Sequence, residues 1–253
     1  MSAAALRDPL GPPPDVSVIV PSYNEAGSIV PFLRELTAVL DEHKVDHEVL
    51  LVDDASPDGT ADLVERAFHA RPSLHVLRRR GPRGLAVSIR DGLARARGAA
   101  FLVMDSDFNH DPSVAPLLVK YLADFDLVSG SRFAPGGGMY SRSRQAGSFA
   151  MNLFARVVLQ TQIQDLLSGY FAIRREALAR IPAERVFWGY GDYYVRLLFH
   201  AQRRGVRVLE VPVVYRSREG GGSKTPLLRT ALRYGAEILR LRLTTLPGIG
   251  RSA

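Results

Sequence analysis

Two aspartates, Asp105 and Asp107, follow the apolar run at residues 101–104 and are the side chains of this sequence best placed to do chemistry. The run predicts a buried strand, and residues i and i+2 of an extended backbone point to the same side. Two carboxylates that face one way repel each other unless a cation lies between them. Mg²⁺ and Mn²⁺ favour carboxylate oxygens, and Mg²⁺ is usually held by one or two carboxylates together with substrate phosphates. The pair therefore indicates a metal ion on a diphosphate; the alternative is an ordinary turn or helix-capping aspartate.

The composition is that of a globular protein with room for one large α/β domain or two small ones, since 46% of the 253 residues are hydrophobic. There is no cysteine, which excludes disulfides and thiolate metal sites and fits a reducing compartment. The net charge is +7, and only three of the 33 basic residues are lysines. This excess suits anionic partners such as nucleic acid, anionic lipid or phosphorylated substrates, although arginine-rich codon usage would explain the bulk count equally well.

No stretch of the sequence reaches the ~18–20 uncharged apolar residues of a membrane span. Residues 1–15 carry four prolines and no apolar core, so we expect a disordered tail there and not a signal peptide. These observations predict a cytoplasmic protein, and they leave open a peripheral association with the cytoplasmic face of a membrane.

Apolar strands alternate with amphipathic helices through the first half of the chain. The predicted strands are residues 16–20, 48–52, 74–77 and 101–104, and the apolar stripes of the helices between them begin at Ile29, Leu63 and Ala86. This alternation predicts a parallel sheet covered on both faces, with ligands bound beyond the carboxyl ends of its strands. Polar segments stand at three of those ends, namely 21–25, 53–56 and 105–107.

The second half of the sequence is less regular, and no linker divides it into a second domain. Its predicted strands are 126–130, 169–173 and 206–215, its predicted helices are 143–160, 190–204 and 226–243, and its loops include 135–139 and 219–224. The last helix carries arginines between its apolar positions. Such a helix either lies on an anionic membrane surface or packs its apolar stripe on the core.

Five motifs, taken in order, resemble those of a known enzyme family. They are VPSYNE at 20–25, DDASPDGT at 53–60, DSDFNHDP at 105–112, GSR at 130–132 and SK at 223–224. The chain is similar to the inverting family 2 glycosyltransferases, and within them to the dolichol- and polyprenol-phosphate mannosyltransferases. The resemblance implies an α/β fold: a single GT-A (Rossmann-like) domain with a mostly parallel central sheet and helices on both faces. We therefore expect a tail at 1–15, a GT-A domain at 16–225 and a C-terminal amphipathic helix and tail at 226–253.

The resemblance implies inverting transfer of a sugar, in the first instance mannose from GDP-mannose, to a polyprenyl or dolichyl monophosphate, with Mg²⁺ or Mn²⁺ as cofactor. The implied partners are a nucleotide-sugar donor, a polyprenyl phosphate lipid acceptor and a membrane surface, without nucleic acid. A phosphate acceptor is already an anion near neutral pH, so positioning and charge neutralisation replace a general base. Two alternatives stay open: the same fold with a donor such as UDP-glucose or UDP-N-acetylglucosamine, and a non-catalytic nucleotide- or polyanion-binding protein.

The resemblance also implies roles for individual residues. The nucleotide pocket would be lined by Pro21, Tyr23, Glu25, Asp53, Asp54 and Arg83. The metal would be held by Asp105, Asp107 and Asn109, the last of which stands where relatives have the longer Gln. The acceptor phosphate would be bound by Arg132, Arg142, Arg144, Arg218, Ser223 and Lys224. The catalytic set would be Asp105, Asp107, Arg132 and Asp165.

Four positions near these motifs complete the expectations. Arg80 and Arg83 stand where many relatives have a lysine, and Asp192 lies a few positions before the acidic residue of the family. These departures lie where the donor and its sugar are recognised, so the identity of the sugar is left open. His110 follows the aspartate pair closely enough to support a metal ligand without touching the metal.

Overall fold

Most strands fall at or near the predicted positions, and most of them run parallel. The structure is a computed structural model that describes residues 12–215 and 227–244. Within these residues the strands are β1 Val16–Ser22, β2 His47–Asp53, β3 Leu74–Arg78, β4 Ala100–Val103, β5 Leu127–Ser131, β6 Gly138–Met139, β7 Phe171–Arg174, β8 Val208–Pro212 and β9 Val214–Tyr215. The central sheet has the order β3-β2-β1-β4-β7-β5-β8. Strand β7 is antiparallel to its neighbours β4 and β5, whereas the other pairings of this sheet are parallel, as predicted.

The register of the parallel strands gathers their carboxyl ends at one edge of the sheet. Strand β1 pairs with β2 from Val16↔His47 to Ser22↔Asp53, and it pairs with β4 on its other side. Every residue of β1 and β2 is buried, as expected for parallel strands that helices cover on both faces. The carboxyl edge therefore carries Asp53 at the end of β2 and Asp105 just beyond β4.

Helices cover both faces of the sheet and form one core on each. They are α1 Ile29–Glu42, α2 Thr60–Ala67, α3 Leu85–Arg95, α4 Ala115–Lys120, α5 Arg142–Leu159, α6 Arg175–Ala179, α7 Ala183–Val186, α8 Tyr193–Arg203 and α9 Leu227–Leu243. Phe32 and Leu36 of α1 lie in one core, and Ile89 of α3 and Val195 of α8 lie in the other. The sequence did not predict α4, α6 or α7, because helices this short show no readable apolar period.

The predicted strand at 206–215 is in fact two strands in two different sheets. Strand β8 pairs with β5 in the central sheet, whereas β9 pairs with β6 inside the predicted loop at 135–139. The break falls at Val213, directly after Pro212, which has no N–H to continue the ladder. The small second sheet brings Tyr215 beside Arg132 and Ser168.

The apolar stripe of α9 packs on the core. Ile238 and Leu241 are 0% and 3% exposed, whereas Leu232 and Leu239 on the outer side of the helix are 67% and 51% exposed. Core packing therefore accounts for the stripe, and an apolar outer edge remains in solvent. In the part of the chain that the structure describes, no helix has the length and apolar character needed to cross a membrane. The predicted boundary at residue 226 stays a prediction.

Candidate active site

Asp105 and Asp107 lie in a bent loop beyond β4, not on the extended backbone that the sequence predicted. Residues 106–110 form a bend, and Phe108 adopts a left-handed backbone conformation with φ 60°. Its ring packs edge-on against Phe32 of α1, with 5.3 Å between the ring centroids, which ties the bend to the helix. The argument that residues i and i+2 share a side therefore does not apply here, and the loop geometry places the two carboxylates instead.

The loop offers hard oxygen donors that fit a divalent cation. The Asp105 side chain is 43% exposed, and Asp107 is partly exposed. Among the described residues no three His, Cys, Asp or Glu side chains come together as a metal cage. Two carboxylates nevertheless suit Mg²⁺ or Mn²⁺, because such ions commonly take their other ligands from substrate phosphates and water.

Asn109 stabilises the loop by bonding to Asp107. Its backbone N–H donates to Oδ1 of Asp107 at 3.2 Å, and its side-chain Nδ2 donates to Oδ2 at 2.9 Å. The amide nitrogen, which cannot ligate a cation, is therefore the side-chain atom that faces Asp107. The predicted contact of Asn109 with the metal stays a prediction.

Arg132 and Asp165 form a buried ion pair at the end of β5. Nε of Arg132 donates to Oδ2 of Asp165 at 2.8 Å, and Nη2 donates to Oδ1 at 2.7 Å. The backbone N–H of Arg132 also donates to Oδ2 at 3.0 Å. Asp165 is 0% exposed and Arg132 is 7% exposed. Burial alone would lower the pKa of Arg132, but its bonds to Asp165 raise that pKa above its ordinary value, so the guanidinium is fixed as a cation.

Two further polar side chains hold Asp165 in place. Asn152 of α5 donates to Oδ1 of Asp165 at 3.3 Å and accepts from the N–H of Leu166 at 2.8 Å. Glu210 of β8 accepts from the N–H of Asp165 at 2.9 Å. The carboxylate therefore has a single orientation, and it imposes a single orientation on Arg132.

One nitrogen of Arg132 remains available on the side away from Asp165. Its Nη1 contacts Met139 Sδ at 3.7 Å, a weak interaction, and no stronger partner of Nη1 lies among the described residues. The guanidinium carbon lies 4.9 Å from the ring centroid of Tyr215. The arginine is thus held by a carboxylate and an aromatic face while Nη1 can donate to an anionic ligand.

Asp54, a predicted nucleotide residue, organises the loop after β3. It forms an ion pair with Arg79, and its Oδ2 accepts from the N–H of Gly84 at 2.7 Å. Asp54 and Arg79 are 6% and 8% exposed, so this carboxylate is turned inward. The neighbouring Arg83 is presented by the same loop.

Tyr23 and Arg83, which the sequence placed in the same pocket, contact each other in the structure. The Arg83 side chain donates to the Tyr23 hydroxyl, and its guanidinium carbon lies 4.6 Å from the Tyr23 ring centroid. Tyr23 is 37% exposed. The two side chains therefore form an exposed contact pair beside the carboxyl end of β1.

The remaining predicted nucleotide residues are braced by the turn at 53–60. The backbone N–H of Glu25 donates to the Thr60 hydroxyl at 3.0 Å, and Pro21 is buried within β1. Asp53 accepts from the N–H of Ser56 at 3.0 Å through Oδ2, while its buried Oδ1 has no hydrogen-bond partner in the described part of the chain.

The predicted acceptor residues are only partly described. Arg142 and Arg144 are exposed on the first turn of α5. Arg218, Ser223 and Lys224 lie outside the described residues. Sequence reasoning also missed three residues that shape the site, namely Arg79, Asn152 and Glu210. Each acts through a partner distant in sequence, so no local motif could have pointed to it.

The structure is an α/β domain of mostly parallel strands, with Asp105 and Asp107 beyond β4 and Arg132 directly after β5, and open sheets of this kind bind their ligands at the carboxyl ends of the strands. Residues 17–181 match the family model described as Glycosyl transferase family 2. The chain therefore belongs to glycosyl transferase family 2, which confirms the predicted family and the predicted enzyme class.

Two relatives cover most of this chain. An undecaprenyl-phosphate mannosyltransferase of Micrococcus luteus is 39% identical over 217 residues, and the match covers 83% of this chain and 86% of that protein. A polyprenol monophosphomannose synthase of Mycolicibacterium smegmatis is 34% identical over 214 residues, and the match covers 82% of this chain and 79% of that protein.

A solved structure supports the fold. The glucosyl-3-phosphoglycerate synthase from Mycobacterium tuberculosis in complex with Mn²⁺ and UDP-glucose superposes with a TM-score of 0.68 at 21% identity, covering 93% of this chain and 81% of that chain. At this level of identity the likeness concerns the fold alone, and it confirms the predicted fold class.

Proposed function

We propose that this chain transfers a sugar from a nucleotide sugar to a polyprenyl monophosphate with inversion at the anomeric carbon, and that mannose from GDP-mannose is the first candidate. The observation that carries the proposal is that the loop of Asp105 and Asp107 is joined to the guanidinium of Arg132 through His110 and Tyr215. The first pair suits a diphosphate-bound metal, and Arg132 suits a phosphate. The names of both relatives support this choice of sugar and acceptor.

Asp105 and Asp107 would hold Mg²⁺ or Mn²⁺. Their hard oxygens fit such an ion, and the likeness to a synthase crystallised with Mn²⁺ supports the same cofactor. When bound, a divalent cation supplies Lewis-acid neutralisation of the charge on the diphosphate leaving group. The part of these aspartates is to fix the diphosphate relative to the strand ends.

The bond changes are balanced without a general base. An oxygen of the acceptor phosphate forms a bond to the anomeric carbon while the bond from that carbon to the diphosphate breaks, and the electron pair leaves with the nucleoside diphosphate. The attacking oxygen carries no proton to be removed, so the side chains contribute positioning and charge compensation. Attack from the face opposite the leaving group inverts the anomeric centre.

Arg132 would donate to a phosphate oxygen through Nη1, and Asp165 would act by positioning it. Asp165 was predicted to be catalytic, but a side chain with no exposed surface and both oxygens bonded does not reach a substrate. We therefore revise its role to holding Arg132. Arg142, Arg144, Arg218, Ser223 and Lys224 remain predicted contacts of the acceptor phosphate.

On the donor side, the exposed contact pair of Tyr23 and Arg83 would meet the nucleotide. The unpartnered Oδ1 of Asp53 supports a ligand at this place, because a buried carboxylate oxygen without a hydrogen bond is costly and a ribose hydroxyl or a base N–H would satisfy it. Asp54 would shape the loop that carries Arg83. Pro21 and Glu25 would line the pocket wall.

Peripheral membrane contact would involve α5 in addition to α9. Phe149, Leu153 and Val157 recur every four residues along α5 and are 51%, 47% and 70% exposed. Arg142 and Arg144 lie at the start of the same helix. A helix with an exposed apolar stripe and basic residues suits the surface of an anionic bilayer. The predicted association with the cytoplasmic face rests on this surface.

The decisive experiment offers the purified protein a panel of nucleotide sugars, including GDP-mannose, UDP-glucose and UDP-N-acetylglucosamine. Each is incubated with Mn²⁺ or Mg²⁺ and a short polyprenyl phosphate, and the lipid products are identified by mass spectrometry. We expect a mannosylated lipid phosphate from GDP-mannose. A glycosylated lipid from a UDP-sugar instead would show that the donor is that UDP-sugar and not GDP-mannose. If no donor gives a glycosylated lipid, the lipid-acceptor proposal is wrong and a non-catalytic nucleotide-binding protein is favoured.

The matched variants are Asp107→Asn, which removes one metal-binding charge, and Asp111→Asn, which changes a nearby aspartate whose side chain bonds Ser113. Asp107→Asn should abolish most transfer, whereas Asp111→Asn should retain it. Wild-type turnover and metal dependence in Asp107→Asn would contradict the assigned metal site.

A further inference from the structure

His110 lies at the centre of the site although none of the steps above uses it. It is 1% exposed, and its ring stacks on Tyr170 with centroids 4.8 Å apart and an interplanar angle of 10°. Its Nδ1 accepts a hydrogen bond from the backbone N–H of Asp105 at 2.9 Å. The imidazole therefore holds the backbone of a proposed metal ligand while the Asp105 side chain stays 43% exposed.

The contacts of His110 fix its tautomer. A backbone N–H can only donate, so Nδ1 carries no proton and Nε2 carries the hydrogen of the neutral ring. Nε2 lies 2.7 Å from the Tyr215 hydroxyl and 3.3 Å from the Ser168 carbonyl oxygen. Its distance to Oδ2 of Asp105 is 3.9 Å, too long for a hydrogen bond. His110 thus donates towards Tyr215 and accepts from Asp105.

Tyr215 has a hydroxyl whose donor and acceptor capacity is fully used. The hydroxyl donates to the Ser168 carbonyl oxygen at 2.8 Å, and its oxygen accepts from Nε2 of His110 and from the Ser168 hydroxyl at 2.9 Å. The ring of the same residue lies 4.9 Å from the guanidinium carbon of Arg132. One tyrosine therefore contacts both His110, which holds Asp105, and Arg132.

We propose that His110 and Tyr215 are positioning residues that couple the metal-binding loop to the phosphate-binding arginine. The path runs from the N–H of Asp105 through His110 and the Tyr215 hydroxyl to the Tyr215 ring beneath Arg132. It sets the separation between the leaving diphosphate and the attacking phosphate, which in-line transfer requires to be exact to a fraction of an ångström. The assignment of the two ends rests on the proposed function, whereas the path itself rests on the contacts.

Two substitutions of His110 separate the two halves of this path. In His110→Asn, the side-chain oxygen can stand where Nδ1 stood and accept from Asp105, but the link to Tyr215 is lost. In His110→Gln, the longer amide can reach the Tyr215 hydroxyl, but the acceptor for Asp105 is lost. Tyr215→Phe removes the hydroxyl and keeps the ring beneath Arg132. Tyr194→Phe is the matched control, because it removes an equally buried hydroxyl bonded to Ser129 at 2.6 Å and outside the path.

Three measurements are made on each folded variant. The first is the affinity for Mn²⁺ in the presence of GDP, and in parallel of UDP, from the electron paramagnetic resonance signal of free Mn²⁺. The second is the hydrogen exchange rate of the Asp105 amide, measured by NMR. The third is the KM for a short polyprenyl phosphate. We expect His110→Gln to weaken Mn²⁺–nucleotide binding and to speed Asp105 exchange, each by about 10-fold or more, since losses of 10–100-fold are typical for residues that hold a metal ligand. His110→Asn should leave Mn²⁺–nucleotide binding and the exchange rate of the Asp105 amide nearly unchanged, and it should raise the acceptor KM.

Tyr215→Phe removes the same link as His110→Asn, so it should likewise raise the acceptor KM and leave Mn²⁺–nucleotide binding nearly unchanged, whereas Tyr194→Phe should change neither at a comparable loss of thermal stability. Identical behaviour of His110→Asn and His110→Gln, or of Tyr215→Phe and Tyr194→Phe, would overturn the proposal. If Tyr215→Phe fails to fold, the His110 pair decides. If even the wild-type protein glycosylates no lipid, the proposed acceptor fails, but nucleotide binding and Asp105 exchange still test the coupling.

Discussion

Arg132 and Asp165 meet in a forked ion pair in which two guanidinium nitrogens bond the two oxygens of one carboxylate, at 2.8 and 2.7 Å. Both side chains are at least nine-tenths buried. A pair of this kind positions charge well, but it makes each member dependent on the other, because an unpartnered buried charge is costly. Removing the charge of one member should therefore lower the free energy of unfolding.

Asp165→Asn should destabilise the protein strongly. The substitution keeps the shape of the side chain but leaves the cation of Arg132 buried without its counter-charge. We expect a loss of about 3 kcal/mol in the free energy of unfolding, in the range known for breaking a buried pair. Chemical denaturation at neutral pH measures the change.

The control for this prediction is Asp126→Asn. Asp126 also bonds two arginines, Arg180 and Arg207, but these side chains are 45% and 63% exposed. Solvent screens such pairs, so we expect a loss of about 1 kcal/mol or less. Equal losses in the free energy of unfolding of the two variants would show that burial does not make the Arg132–Asp165 pair more costly to break than an exposed pair.

Gly191 and Tyr234 provide a test of how α9 docks beside the site. A Cβ at position 191 would collide with the Tyr234 hydroxyl, so α9 can approach this closely only because residue 191 is a glycine. Gly191→Ala should cost about 1–3 kcal/mol, as overpacking does. Adding Tyr234→Phe removes the colliding oxygen and should restore most of the loss in thermal denaturation.

Gly235 of α9 should respond in the opposite direction. A Cβ at this position meets nothing within 4 Å. Gly235→Ala should therefore stabilise the protein by about 0.5–1 kcal/mol, because glycine in a helix interior is disfavoured relative to alanine. Destabilisation by Gly235→Ala would contradict the described docking of α9. A failure of Tyr234→Phe to restore the stability of Gly191→Ala would contradict it as well.

The periodic elements and the strand-end motifs could be predicted from the sequence because both are local. The alternation of strands and helices up to residue 104 predicted a parallel sheet. The carboxyl ends of parallel strands share one edge of the sheet, which is where Asp53 and Asp105 lie. The bend at 106–110 was not predicted, because a strand followed by polar residues does not reveal where the extended backbone ends.

The partners inside the site could not be predicted, because they are distant in sequence. Arg79 meets Asp54 across 25 residues, and Tyr215 meets His110 across 105. Periodicity reports which face of an element is buried, but it does not report which buried polar groups pair. The catalytic role predicted for Asp165 shows the same gap, since a sequence motif cannot distinguish a carboxylate that touches substrate from one that holds an arginine.

The exposed apolar stripe of α5 predicts a defect that appears only at a membrane. Replacing Leu153 and Val157 by serine removes two of its exposed apolar side chains and disturbs no described contact of the Arg132 pair. We expect binding to vesicles that contain anionic lipid to weaken on the order of tenfold, since each such side chain contributes about 1 kcal/mol when buried. Vesicle co-sedimentation measures the affinity.

Turnover with a short, water-soluble polyprenyl phosphate should remain at the wild-type level in this double variant. Leu117→Ser on α4 is the control, because Leu117 is 38% exposed and lies on another surface. Vesicle binding that falls equally in Leu117→Ser, or that does not fall in the α5 variant, would contradict membrane contact through α5.

His200 gives the protein a pH dependence with a defined sign. Burial, and then the positive charges of Arg204, Arg185 and other arginines, lower the pKa of His200 from 6.5 to about 4. Between these two values the unfolded chain binds a proton that the folded chain does not, so folding stability decreases as the pH falls through this window.

His200→Gln removes the titrating imidazole, so the folding stability of the variant should decrease less as the pH falls. We expect the melting temperatures of the variant and of the wild-type protein to differ little in their trend above pH 7, because the histidine is neutral in both states there. Between pH 6.5 and about 4 the wild-type protein should lose more stability than the variant. Scanning calorimetry at pH 7.5 and pH 5 measures both losses. Parallel declines in the two proteins would mean that His200 is protonated in the folded state, and thus that neither burial nor the surrounding arginines keep it neutral.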